Sequence, residues 1–390
     1  MTSPPQAQAP RQPEGRNEWP RKPEERRADR VFFVTGELLD ESTGHSVVRL
    51  ARELRRRGKE VGFACGGGPL VEELERIGIS PLVSPRLAAG GGRWRLPAKL
   101  THAVRDFQPE LIHAFGRPLA DWARKLSQST ELPYVLTVMT FAPSEREGRV
   151  RGDWTRGAAV AVSQELREQL VNQARIPKNA VAVVPFGIAL EDYERYCETA
   201  GPGHTPVVGM VGPLTPDRGC DYFLQAARQI LDAGHDAQFL IAGQGPDRGR
   251  LRRLTRKLNI ERWVTLVHHF TDYRRMIAVL DVCVLPALHE GFSLNVVEAM
   301  ACRKPVVATG VGAVYDIVED GETGLLAPKK DPVAIAERVI QLLEDRELAA
   351  QIVEAAYERV RERFSLAASV RQMLDLYARL LARTGSAEPG

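Results

Sequence analysis

Residues 207–212 read VVGMVG, and they restart a pattern that the chain has already run once from RVFFVTG at 30–36. Each run is a short apolar segment ending in glycine and followed by an amphipathic stretch, which is how a buried parallel strand leads into its crossover helix. Working backwards, GHSVVRLARELRRRGKEV (44–61) carries Val47, Leu50, Ala51 and Leu54 at helical spacing, with Gly58 where a helix stops and a strand from Val61. PELIHAFG (109–116), PYVLTVMT (133–140), GAAVAVS (157–163) and AVAVVPFG (180–187) continue the first sheet. Working forwards, AQFLIAG (237–243), WVTLVHH (263–269), DVCVLPA (281–287), PVVATG (305–310) and GLLAP (324–328) continue the second.

The reading is therefore α/β, with two doubly wound, Rossmann-like parallel-sheet domains. The expected bounds are 30–200 for the first domain and 201–362 for the second, with residues 363–390 forming a helical finish and polar tail. Residues 1–29, rich in proline and mixed charge, read as a disordered tail. Open parallel sheets bind ligands at the carboxyl ends of their strands, so the facing strand ends make a cleft the expected site.

The chain has 53 basic and 50 acidic residues, a formal net charge of +3, which gives no reason to expect nucleic acid as a partner. No apolar run reaches the roughly 18 residues of a membrane span. Five scattered cysteines form neither a disulfide framework nor a zinc pattern, so a reducing cytoplasm is the expected location and Cys302 is read as a packed core thiol. The histidines are dispersed, no Asp-x-Asp occurs, and no metal site is expected. GVGAVY (310–315) lacks the third glycine of a dinucleotide fingerprint, and there is no P-loop.

The chemistry concentrates in HEGFSLNVVEAMACRKPVVATG (289–310), where Glu290 and Glu298 stand either side of a helix start. Strand DVCVLPA ends just before Glu290, which places that carboxylate at the cleft, with Ser293 set to cap the next helix. The amides of Gly291, Phe292, Ser293 and Leu294 would crown a helix N-terminus suited to phosphate. Carboxylates accept hydrogen bonds in pairs, so Glu298 suits the vicinal hydroxyls of a ribose and Glu290 those of a hexose. The expected ligand is a nucleotide sugar.

The longer stretch HEGFSLNVVEAMACRKPVVATGVGAVYDIVEDGETGLLAP (289–328) resembles the donor-site signature of the retaining family 4 glycosyltransferases: Glu, seven residues, Glu, a strand, a Gly-rich turn and a hairpin. The likeness extends over most of residues 31–378. AVSQELREQL (161–170) is similar to the family's fifth-strand signature, VVPFGIALEDY (183–193) to its hinge-side strand, MVGPLTPDRGCDYFLQA (210–226) to the start of its donor lobe, and IAGQGP (241–246) to a loop near the nucleotide.

The resemblance implies the GT-B fold and a last helix that crosses back to the first lobe. It also implies a nucleoside diphosphate sugar as donor substrate, with no other cofactor, and a hydroxyl acceptor on a sugar, lipid or small metabolite. The implied donor contacts are Gly44, Gly212, Gly243, the amides of 291–294 and Glu298. Arg218, Glu290 and His113 are the catalytic candidates, with a satisfied strand-end histidine as the other reading of His113. The sequence departs from the family's pattern at Pro213, where an arginine is usual, and at Met139, where a histidine is usual; Arg218 replaces a lysine. Those departures keep a second reading open, a low-turnover nucleotide-sugar-binding or scaffold protein on the same fold. The basic stretches RELRRRGK (52–59) and RWRLPAKLTHAVR (93–105), with Trp94 interleaved, add an expectation of peripheral contact with an anionic membrane.

Overall fold

The apolar runs form strands because helices cover both faces of each sheet, so that the central strands are buried along nearly their whole length while the edge strands are only partly so. A computed structural model describes residues 28–39, 42–88, 96–139, 150–197, 203–268 and 272–385. In the first lobe, β1 (Arg30–Thr35), β2 (Glu60–Cys65), β3 (Leu82–Val83), β4 (Leu111–Phe115), β5 (Tyr134–Val138), β6 (Gly157–Ala161) and β7 (Val181–Val183) form one sheet in the order β3-β2-β1-β4-β5-β6-β7. In the second, β8 (Val207–Val211), β9 (Gln238–Ala242), β10 (Val264–Val267), β11 (Val282–Leu285), β12 (Val306–Thr309) and β13 (Leu325–Ala327) take the order β10-β9-β8-β11-β12-β13. Neighbouring strands are parallel, and the order reverses at β1/β4 and at β8/β11, the switch points where such sheets open a crevice. The two-residue edge strand β3 was not expected, being too short to leave a pattern.

The helix Ser42–Arg56 buries Val47, Val48, Leu50, Ala51 and Leu54 against the first sheet and ends at Gly58, whose φ is +77°. Gly44, read as a donor contact, lies inside this helix. A Cβ there would stand 2.2 Å from the Leu39 carbonyl oxygen, so its smallness serves the seating of the helix on the preceding segment.

The chain crosses between lobes twice, side by side. Ile188 donates its amide to the Phe364 carbonyl at 2.9 Å, and Leu366 donates to Ile188 at 2.7 Å. The helix Leu366–Gly385 then lies on the first lobe, with Val370, Met373, Tyr377 and Leu380 in one core with Phe33 and Val47. It starts at Leu366 and not at 363, because Phe364 still packs in the core of the second lobe.

His113 is a correction to the sequence reading. It is 0% exposed, with Nε2 at 2.7 Å from Thr137 Oγ1 and Nδ1 at 2.5 Å from the Tyr377 hydroxyl. It is therefore a satisfied core histidine joining β4, β5 and the last helix, out of reach of a substrate. Burial pushes its imidazole down to about 3 from an ordinary value of 6.5. Between those values the unfolded chain takes up a proton that the folded chain refuses, so this contribution to stability is complete above about pH 6.5 and is lost as pH falls. Unfolding free energy is expected to drop by about 1.4 kcal/mol per pH unit in that window from this group alone. His113→Phe is expected to be less stable at neutral pH but flatter with pH in denaturant titrations; an unchanged slope would refute the assignment.

Of the expected tail, residues 1–27 lie outside the described residues, whereas Ala28 is buried and Asp29 pairs with Lys59. The basic helix is largely occupied locally: Arg52 pairs with Glu73, Arg56 and Arg57 with Glu53, and Arg55 donates to the Gly78 carbonyl. Trp94 lies outside the described residues. No helix among the described residues is long and apolar enough to cross a membrane. All five cysteines are free, and Cys302 is 0% exposed.

Candidate active site

The site is built on the carboxyl rim of the second sheet, where close backbone contact leaves room only for glycine. A Cβ on Gly243 would stand 1.8 Å from the Gly212 carbonyl oxygen, so the loops after β8 and β9 lie back to back. Gly219, at φ +68°, would place a Cβ 1.8 Å from the Pro286 carbonyl oxygen. That contact seats the Pro216–Arg218 turn on the end of β11, where the Leu288 amide donates to the Asp217 carbonyl at 2.8 Å. Gly212 and Gly243 thus shape the rim.

The turn delivers Arg218 to Glu290, and the two form an ion pair in which the Glu290 side chain is 6% exposed and that of Arg218 is 24% exposed. Burial pushes the Glu290 carboxyl above the usual carboxylate range, and the Arg218 charge pulls it back. Two expected cleft residues, separated by 72 positions in sequence, are therefore brought into contact.

The helix Leu294–Ala301 follows, with Ser293 at its N-cap position. Ser293 is 2% exposed but makes no capping bond, and the Leu294 amide donates to the Phe292 carbonyl at 3.0 Å. The Leu294 amide is thus engaged within the chain, which corrects its assignment to a phosphate. The Phe292 side chain is likewise a wedge, its ring 6.0 Å from Phe186 and 6.3 Å from Phe364 at the crossing. Gly291 faces the first lobe, where Ser163 Oγ donates to its carbonyl at 3.2 Å. Nearby, the Gln164 amide donates to Asp316 Oδ2 at 2.6 Å. The Ser163 bond docks the loop that bears Glu290 across the cleft, and the Gln164 bond holds the neighbouring helix Val314–Ile317.

Glu298 lies deeper, at 1% exposure. Its Oε1 accepts from the Tyr193 hydroxyl at 2.8 Å and from the Tyr273 hydroxyl at 2.6 Å, and the two hydroxyls are 3.0 Å apart. Arg49 of the first lobe places Nη2 at 3.4 Å from the Tyr273 hydroxyl. Burial pushes the Glu298 carboxyl up, while Arg49 and the two hydroxyls oppose it. The Arg49 Nη1 atom is buried without a hydrogen-bond partner among the described residues, a state that costs about 1–3 kcal/mol.

Sequence reasoning missed Arg49, Tyr193 and Tyr273. Tyr193 ends the VVPFGIALEDY stretch and was within reach of inspection. Arg49 and Tyr273 stand 224 positions apart, and nothing in either neighbourhood marks the pairing. Pro213 precedes Leu214, whose amide is held by the Gln244 carbonyl at 2.7 Å, and offers phosphate no side-chain donor. Met139 packs partly buried against both cores of the first lobe.

Two doubly wound parallel sheets facing one another, with an arginine and two carboxylates gathered at one rim, define a GT-B transferase architecture. The model for Glycosyltransferase Family 4 matches residues 43–192, and that for Glycosyl transferases group 1 matches 198–359. The chain belongs to this glycosyltransferase family. It is 28% identical over 394 residues to 2-deoxystreptamine N-acetyl-D-glucosaminyltransferase of Streptomyces fradiae, covering 88% of this chain and 92% of that enzyme. It is 28% identical over 233 residues to alpha-D-kanosaminyltransferase of Streptomyces kanamyceticus, where the match spans 56% of this chain and 60% of the relative. In fold it is similar to the crystal structure of Anabaena HepE in complex with UDP, with a TM-score of 0.76 at 19% identity over 90% of this chain and all of the other.

Proposed function

We propose that the chain transfers a hexosyl group from a nucleoside diphosphate sugar to a hydroxyl acceptor, with retention of anomeric configuration and without a metal ion. The observation that carries this reading is the Arg218–Glu290 pair at the second sheet's rim, with Glu298 eight residues further along the same loop and helix. Glu290 would orient the hexose through its hydroxyls, Glu298 would hold the ribose, and Arg218 would neutralise the departing diphosphate. The anomeric carbon–oxygen bond to the diphosphate breaks, the acceptor oxygen bonds to the same carbon on the same face, and the acceptor's proton passes to the leaving phosphate oxygen. No side-chain base is then needed, which agrees with the burial of His113. UDP in the Anabaena structure and the aminocyclitol in the Streptomyces fradiae enzyme's name support a nucleotide donor and a polyhydroxylated acceptor.

The test is a transfer assay over a panel of nucleoside diphosphate sugars and polyol acceptors, with liposomes added in one arm to detect a lipid acceptor. An axial product from an axial donor by NMR, and a rate unaffected by a chelator, are the expected results. An inverted product or loss of activity with the chelator would overturn the corresponding part. The second reading, a binder with little turnover, draws on Pro213 and on the engagement of Arg218 by Glu290; donor binding without transfer or donor hydrolysis would establish it.

A further inference from the structure

Arg49 approaches Glu298 from the opposite lobe. It lies on the helix Ser42–Arg56 between the buried Val48 and Leu50, yet it is itself drawn into the lobe junction against Tyr273. A guanidinium presents five donors in a fixed fork, and one buried end of this fork, Nη1, meets no acceptor among the described residues. Glu298, held by the same tyrosine, is acceptor-only when ionised. A donor-only group and an acceptor-only group converging on one corner are together complementary to a group that does both. A hydroxyl is such a group, and a vicinal diol supplies two.

We propose that Arg49 is a ribose-binding residue contributed by the first lobe: its Nη1 donates to a 2′- or 3′-hydroxyl oxygen of the nucleotide while Glu298 accepts from the diol. This rests on the nucleotide-sugar reading above and adds to it that the ribose is gripped from both lobes. The Tyr273 hydroxyl, which now bonds Glu298 and approaches Arg49, holds the position that the diol takes over. The diol would thereby join a first-lobe donor to a second-lobe acceptor directly, where Tyr273 now stands between them.

Calorimetric titration of the full chain with UDP, GDP and ADP selects the nucleotide that binds most tightly, which is then compared with its 2′-deoxy and 3′-deoxy forms. Wild type is expected to disfavour at least one deoxy form by about tenfold or more, the usual penalty for leaving a charged hydrogen-bonding group unpaired. In Arg49→Met that penalty should shrink at least about fivefold, because the ribonucleotide weakens while the deoxy form hardly changes. Arg49→Lys, which keeps the charge but not the fork, should fall between and guards against a folding defect in the methionine variant. Equal weakening of ribo and deoxy forms, or no change in either, would overturn the role of Arg49. Glu298→Gln separates the two ideas: unchanged ribonucleotide affinity there refutes the ribose reading itself, whereas a weakened Glu298→Gln beside an indifferent Arg49→Met refutes only the present inference.

Discussion

Glu290→Gln is expected to lower turnover about 100- to 1000-fold while changing affinity for the free nucleoside diphosphate by less than about threefold, the scale seen when one preorganised electrostatic partner is removed from a reacting centre. The Glu290 side chain is nearly buried and opposed by Arg218, so its direction is fixed before a sugar arrives. Glutamine retains the volume and one acceptor but turns the second acceptor into a donor, which faces the Arg218 fork unfavourably. The hexose loses its orienting partner where the anomeric carbon must meet the acceptor. Initial rates with the nucleotide sugar, set beside titration with the nucleotide alone, measure the two effects separately. Unchanged turnover with a large loss of nucleotide affinity would place Glu290 on the nucleotide and not on the sugar.

Arg218→Ala is expected to weaken nucleoside diphosphate binding about 10- to 100-fold, as for loss of charge-assisted hydrogen bonds, and to leave the corresponding nucleoside nearly unaffected. It also has a pH signature. Burial already holds the Glu290 carboxyl above its ordinary range and Arg218 is the group that pulls it down, so the variant's carboxyl moves further up. If ionised Glu290 orients the sugar, the acid limb of the activity profile shifts to higher pH. The stability sign follows from the same direction: a carboxyl raised in the folded state opposes folding once the pH rises past its unfolded value, so the variant's stability deficit grows from acid toward neutral pH. Parallel loss of nucleoside and diphosphate affinity would show that Arg218 supports the loop alone.

Most of the sheet architecture was legible because it is local. Apart from Arg30, Thr35, His113 and Thr137, RVFFVT, LIHAF and YVLTV are apolar, a near-continuous run that suits a strand covered on both faces, and they became β1, β4 and β5. The Glu290 and Glu298 spacing was legible for the same reason, since one turn and one short helix carry both residues. Roles that depend on where a side chain ends up were less so. Gly44 was read as a donor contact and lies in a helix, and Leu294 was given to phosphate while its amide bonds the Phe292 carbonyl.

What the sequence by itself determined is most of the strands and helices, the lobe-level repeat and the acids placed at a strand end, because hydrophobic periodicity and turn chemistry act over a few residues. The tertiary structure alone decided that Arg218 opposes Glu290, that His113 is sealed by Thr137 and Tyr377, and that Arg49 reaches Tyr273 beside Glu298. Each of these pairings brings together residues remote in the chain. Their energies come from burial and charge at the junction of packed layers, where the partner is set by how the sheets and lobes meet and not by any neighbouring residue.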